Sequence, residues 1–150
     1  MQRPCRTPNQ FYARALAFDL LNTQYKNRDN TEIVSIAHTK GAVVAAGSNR
    51  KSHLAIGVDI EHHSRQLPDI LGKYYLTSED LHTGLNTLQL WCLKEAAFKC
   101  LDNFSKTLSL KHICIKRRNS SGFLLQAAGK NCTGALWLSK TGYHIATVVA

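Results

Sequence analysis

The segment 90–100, LWCLKEAAFKC, constrains the chain more than any other. Read as a helix at about 100° per residue, it gathers Leu93, Ala96, Ala97, Cys100 and Leu101 on one arc that other elements must cover. Glu95 and Lys99, four positions apart, lie opposite that arc with Trp91 and Phe98 beside them, and Lys94 falls on the flank. An exposed Glu–Lys pair of this spacing stabilises a helix by about 0.2–0.5 kcal/mol. Whether these charges do more depends on the partners the rest of the chain supplies.

What can cover the arc is mostly strand. From Lys111 onward the runs KHICIKRR, GFLLQAA, GALWLSK and YHIATVV are separated by Ser-Gly, Lys-Asn and Thr-Gly pairs, which predicts strands joined by tight turns. Before the helix, EIVSIAHTKGAVVAAGS predicts a hairpin turning at Lys40 and Gly41, and HLAIGVDIE predicts a further strand ending in acids. HHSRQLPD is a loop. ILGKYYLTSEDLHTGL predicts a helical stretch, a Thr77/Ser78 cap with acids behind it, and another helical turn. At residues 10–25 Phe11, Ala15 and Phe18 share a helical face with Leu21 at its edge. The sum is an α+β fold with an antiparallel sheet packed on a long helix.

A chain of 150 residues is the size of one domain and buries a core without staples. No apolar run approaches the roughly 20 residues that span a bilayer. Arg14 and Asp19 interrupt the apolar start, which therefore reads as an amphipathic helix rather than a signal peptide, and a cytoplasmic location is expected. Cys5, Cys92, Cys100, Cys114 and Cys132 form no CxxC pair, so neither a zinc site nor a disulfide framework is expected, in keeping with a reducing compartment. The formal charge of +9 calls for an acidic partner.

In AIGVDIE, Asp59 and Glu61 project from one strand face while Val58 and Ile60 face the other way. Adjacent carboxylates repel, and a hard divalent cation such as Mg²⁺ relieves them, taking carboxylates together with phosphates and water. Glu95, with a lysine one turn later, would complete a site for a Mg²⁺-bound pyrophosphate. Gly57 would let a ligand approach the backbone. His62 and His63 beside Glu61 suggest zinc, but adjacent strand residues point oppositely, and loop polarity is the preferred reading.

IGVDIE, followed about thirty residues later by WCLKEAAFK, resembles the two signature motifs of the 4'-phosphopantetheinyl transferases: a Gly-hydrophobic-Asp-hydrophobic-Glu strand and a Trp-x-x-Lys-Glu-x-x-x-Lys helix. Gly57, Asp59, Glu61, Trp91, Lys94, Glu95 and Lys99 occupy every fixed position. SIAHT is similar to the Asn-hydrophobic-Ser-His-Ser element of surfactin-type enzymes, with His38 matching the histidine that contacts coenzyme A. RALAFDLL resembles the helix whose arginine, here Arg14, lies near the coenzyme A nucleotide; KYYLTSED and GYHIATV resemble the segment before the central helix and the final strand. Ala37 stands where serine is usual, no Gly-x-Gly-Leu turn follows Lys99, and the chain is shorter than surfactin-type enzymes, which are pseudo-dimers of two related halves. The resemblance thus implies a compact member with a shortened first half, about 1–52, and a second half, about 53–150, or an oligomer that supplies the missing packing.

The activity implied is Mg²⁺-dependent transfer of 4'-phosphopantetheine from coenzyme A to a serine of an acyl or peptidyl carrier protein, releasing adenosine 3',5'-bisphosphate. Asp59, Glu61 and Glu95 would be the metal ligands. Glu95 would be the general base, Lys99 would stabilise or protonate the leaving phosphate, and Asp59 completes the catalytic set. Arg14, His38, Lys94 and Lys99 would bind coenzyme A. The carrier proteins of such enzymes are acidic, which suits the basic charge; the segment Lys73 to Leu76, with Tyr74 and Tyr75, could present aromatic anchors to the carrier, the alternative being one tyrosine in the core and the other in water. A coenzyme A or carrier-binding module with weak turnover is the alternative. Nucleic acid is not expected, because Asp59, Glu61 and Glu95 would repel it, and neither is a membrane.

Overall fold

The computed structural model describes residues 15, 19, 32–49, 53–105 and 107–150. Of the helix expected over 10–25, Ala15 and Asp19 are described, both helical and exposed; Arg14 lies outside the described residues. Strands β1 (Glu32–Thr39) and β2 (Ala42–Asn49) form a two-stranded antiparallel sheet that turns at Lys40 and Gly41, the latter at φ +80°. Strand β3 (Ile56–His62) opens a second, five-stranded sheet. A 3-10 turn over Asp69–Leu71 runs into the short helix α1 (Gly72–Tyr75), and a second 3-10 stretch spans Ser78–Thr83. The long helix α2 (Thr87–Leu101) follows, and then β4 (Cys114–Arg117), β5 (Gly122–Ala127), β6 (Lys130–Leu138) and β7 (Tyr143–Val149). The sheet order is β3-β7-β6-β5-β4, antiparallel throughout.

Strand alternation sorts the layers. Gly57, Asp59 and Glu61 of β3 share a face with Val148, Ala146 and His144 of β7, their partners in register. That face meets α2, whose Leu93, Ala96, Ala97, Cys100 and Leu101 are all fully buried. Val58 and Ile60 point the other way, into a small core built with Ala37 of β1 and half-buried Val44 and Ala46 of β2. Beside β3 the order is therefore hairpin, sheet, helix. Ser35 Oγ accepts a hydrogen bond from the Val58 N–H at 3.0 Å, tying the hairpin to β3. Ala37, where the resemblance has serine, is part of this packing.

The caps follow the sequence. Asn86 Oδ1 accepts from the Gln89 N–H at 2.9 Å while Gln89 Oε1 accepts from the Asn86 N–H at 3.0 Å, a capping box that starts α2. Thr77 caps the Ser78–Thr83 stretch in the same reciprocal way with Asp80. One turn differs from expectation. The β5–β6 reversal sits at Ala128 (φ +50°) and Gly129 (φ +71°), and Lys130 and Asn131 belong to β6. A two-residue turn with positive φ at both central positions favours Asn over Ala, so Lys-Asn is the stronger local signal. Cross-strand register overrides it.

Gly57 also differs from expectation, because a helix and not a ligand makes the close approach. A Cβ there would lie 1.9 Å from the Ala96 carbonyl oxygen and 2.7 Å from the Cys100 nitrogen. Both are backbone atoms, so nothing can swing aside. Gly57→Ala is expected to destabilise the fold by more than about 3 kcal/mol in urea denaturation. Gly134→Ala, whose nearest obstacle is the Leu125 Cδ1 side-chain atom at 2.5 Å, is expected to cost distinctly less.

Candidate active site

The β3–α2 contact sets the charged residues against each other. Lys99 Nζ donates to Asp59 Oδ1 at 2.7 Å and to the Val58 carbonyl at 3.1 Å. Asp59 is buried, and its Oδ2 has no hydrogen-bond partner. Glu61, also buried, accepts from Arg65 Nη1 on Oε1 and from Thr39 Oγ1 on Oε2 at 3.5 Å. Glu95 is half-buried on α2.

Burial pushes the Asp59 carboxyl above its ordinary range, Lys99 pulls it back, and Glu61 adds a further push upward. Burial likewise raises Glu95; Asp59 raises it further, Lys99 opposes, Glu61 raises and Arg65 opposes. The three carboxylates and two cations thus form one electrostatic unit. Cys92 belongs to it as well. Its thiol donates to the His144 carbonyl at 3.7 Å, and burial together with Asp59 and Glu61 drives its pKa far up, so it serves as a neutral donor.

These carboxylates were expected to bind a metal. As placed, no group of three or more His, Cys, Asp or Glu among the described residues could hold a metal ion. The donor chemistry nevertheless suits a hard cation: the ligand atoms are all oxygen, one buried carboxylate oxygen is unpartnered, and burial makes two carboxyls resist ionisation, which a nearby cation would relieve.

Lys94, expected to bind coenzyme A phosphates, is placed elsewhere. Its side chain is 0% exposed, and Nζ donates to Asp80 Oδ2 at 2.7 Å and to the Tyr75 carbonyl at 2.6 Å. The reason is helical phase. Lys94 and Lys99 are five positions apart, about 140° around the helix, so they reach opposite flanks. Lys94 ties α2 to α1 and to the Ser78–Thr83 stretch.

His38 is exposed on β1, next to Thr39, the residue that reaches Glu61. Tyr75 is buried, its hydroxyl donating to the Thr87 carbonyl at 3.3 Å and its ring edge-on to Trp91 at 5.2 Å, whereas Tyr74 is exposed under Lys73. The rings of His62 and His63 lie 4.5 Å apart rather than opposed, because β3 ends at His62. Their Nδ1 atoms share hydrogen bonds with Ser64 Oγ and the Gly142 carbonyl. Thr39 and Cys92 reach the site from variable places within the quoted segments, and Arg65 reaches it without any motif announcing it; Arg65 meets Glu61 across the reversal that ends β3, where a spacing of four carries no helical meaning.

Two outcomes are expected. Lys94→Met leaves Asp80 buried without its counter-charge and should cost about 3–5 kcal/mol in urea denaturation, while Lys94→Met with Asp80→Asn recovers most of the loss. The second concerns pH. Folded pKa values raised above the ordinary 3.8 of Asp59 and 4.5 of Glu95 mean that the fold holds protons more tightly than the unfolded chain. Their stabilising contribution is present below the unfolded values and is lost as pH rises through the folded ones. Glu95→Gln should therefore melt about 2–4 °C above the parent at pH 7.5 without metal, with the advantage gone near pH 4, as followed by thermal denaturation.

No curated protein matches the chain significantly. Among solved structures, holo-[acyl-carrier-protein] synthase of Thermotoga maritima is similar, with a TM-score of 0.50 at 18% identity over 65% of this chain. The match spans 62% of that protein, and at this identity it speaks for the fold. The family model of the 4'-phosphopantetheinyl transferase superfamily matches residues 55–148, a span that contains β3, α2, Asp59, Glu61, Arg65, Glu95 and Lys99, while Arg14, His38 and Thr39 precede it. The chain therefore belongs to the 4'-phosphopantetheinyl transferase superfamily.

Proposed function

We propose that this protein transfers 4'-phosphopantetheine from coenzyme A to a serine hydroxyl of an acyl or peptidyl carrier protein. The observation that carries this reading is the Asp59–Lys99 pair on the β3–α2 contact, with Glu95 in the same field, inside the span matched by the superfamily. In the transfer, the serine Oγ forms a bond to the phosphorus that bears pantetheine. The bond from that phosphorus to the bridging oxygen breaks, and adenosine 3',5'-bisphosphate leaves with the electron pair. The serine proton needs an acceptor, and Glu95, whose carboxyl is raised by burial and by Asp59, is more basic than an ordinary glutamate.

Lys99 has three N–H donors, and two are committed to Asp59 and Val58. The third, on a partly exposed ammonium, is available to the leaving phosphate. Asp59 and Glu95 would hold Mg²⁺, with Glu61 as a further ligand; the ion supplies cancellation of the charge that builds on the pyrophosphate. His38 and Arg14 are proposed for the nucleotide end of coenzyme A. Lys94 does not join them, because its ammonium is fully buried against Asp80 and the Tyr75 carbonyl. The net charge of +9 favours encounter with an acidic carrier and predicts weaker docking in salt.

The test is intact-mass analysis of an apo carrier protein incubated with the protein, coenzyme A and Mg²⁺. A phosphopantetheine-sized gain is expected, with the rate at least about 100-fold lower for Glu95→Ala. Lys99→Ala should be impaired comparably. Coenzyme A binding with no transfer to any of several carriers would instead identify a binding module.

A further inference from the structure

The three carboxylates are not equally free. Asp59 keeps a buried, unpartnered Oδ2, whereas each oxygen of Glu61 has a donor, Oε1 from Arg65 and Oε2 from Thr39 at 3.5 Å. The two members of the Arg65–Glu61 pair sit in different surroundings: the Glu61 side chain is 6% exposed and that of Arg65 43%. The guanidinium also lies over the Trp91 ring, 5.9 Å from its centroid, and that ring is braced edge-on by buried Tyr75. Arg65 is thus held on two sides, by a carboxylate and an aromatic face, yet has an open path to water.

A guanidinium on a carboxylate oxygen occupies one of its lone pairs and repels a divalent cation brought to the same carboxylate, so the two compete. We propose that Arg65 is the resident counter-cation of Glu61, a positioning residue whose hold on Oε1 competes with Glu61 joining Asp59 and Glu95 as an oxygen ligand to a divalent cation. The proposal rests on the metal-binding reading given above. Its physical basis is that a carboxylate buried without a partner is costly, so metal-free protein needs a cation on Glu61. Trp91 keeps Arg65 near its post when the contact is released, because cation–π attraction to the ring survives loss of the ion pair.

Competition of this kind lowers metal affinity, and it does so only through Glu61. Mn²⁺ serves as the probe, with free ion counted by electron paramagnetic resonance on the full chain. Arg65→Met is expected to tighten Mn²⁺ binding by about tenfold in the parent and by less than about twofold in a Glu61→Gln background, a coupling expected only of groups in direct contact. Arg65→Lys, which keeps a cation, should bind within about threefold of the parent. Equal tightening in both backgrounds would show mere removal of a nearby charge and overturn the proposal, as would no tightening at all. Glu95→Gln separates this from the underlying reading. If it binds Mn²⁺ like the parent, the metal-binding reading itself fails; if it loses Mn²⁺ while Arg65 and Glu61 prove uncoupled, only the exchange fails. Circular dichroism of each metal-free variant confirms that folded proteins are compared.

Discussion

Everything in the site depends on how closely α2 lies on β3. At Gly57 the separation is too small for even one methyl group, since the Ala96 carbonyl and the Cys100 amide occupy the space a Cβ would need. Helix side chains ordinarily hold a helix axis 8–10 Å from its neighbour. Glycine on the strand and two alanines on the helix remove that spacer, and the consequence appears two residues along β3. There Asp59 meets Lys99 directly, with no intervening water needed, and Glu95 comes within reach of the same field. A looser contact would leave separate surface charges screened by solvent.

Close packing has an electrostatic cost that the structure only partly meets. Asp59 and Glu61 leave water when β3 is sandwiched between the hairpin and α2. Lys99 and Arg65 each pair with one of them, they offset only part of the rise at Glu95, and the second oxygen of Asp59 has no hydrogen-bond partner. Both cations are themselves partly exposed, so their compensation is weakened by solvent. A domain that optimised stability alone would have replaced these acids with apolar residues of similar size. Keeping them, with Asp59 only half satisfied, beside a helix that cannot move away marks this contact as a functional site rather than a stabilising one.

Much of this was readable before any coordinates. The apolar arc of α2, the opposed faces of β3, the hairpin turn at Lys40 and Gly41 and the Thr77 cap all follow from local periodicity and turn chemistry, which act over a few residues. The failures share a different cause. Glycine in a strand announces that something approaches closely, but not whether it is a ligand or Ala96. The Ala128–Gly129 turn is settled by the register of β5 against β6, which involves residues on both strands. Arg65 reaches Glu61 only because the chain reverses after His62, and no spacing rule describes that reversal.

The two lysines of WCLKEAAFK show most clearly where pattern ends and geometry begins. As letters in a motif they invite one role, because both are cationic and both flank Glu95. On a helix their directions differ by about 140°, so one rotation of the axis cannot present both to the same phosphate. The structure gives them complementary tasks. Lys99 faces β3, pairs with Asp59 and stays partly open to solvent. Lys94 turns inward and, through Asp80 and the Tyr75 carbonyl, pins the segment that carries Tyr75, whose ring in turn braces Trp91. Trp91 lies under Arg65, and Arg65 holds Glu61. The buried lysine therefore supports the carboxylates from behind through a continuous chain of contacts, while the open one meets them from the front.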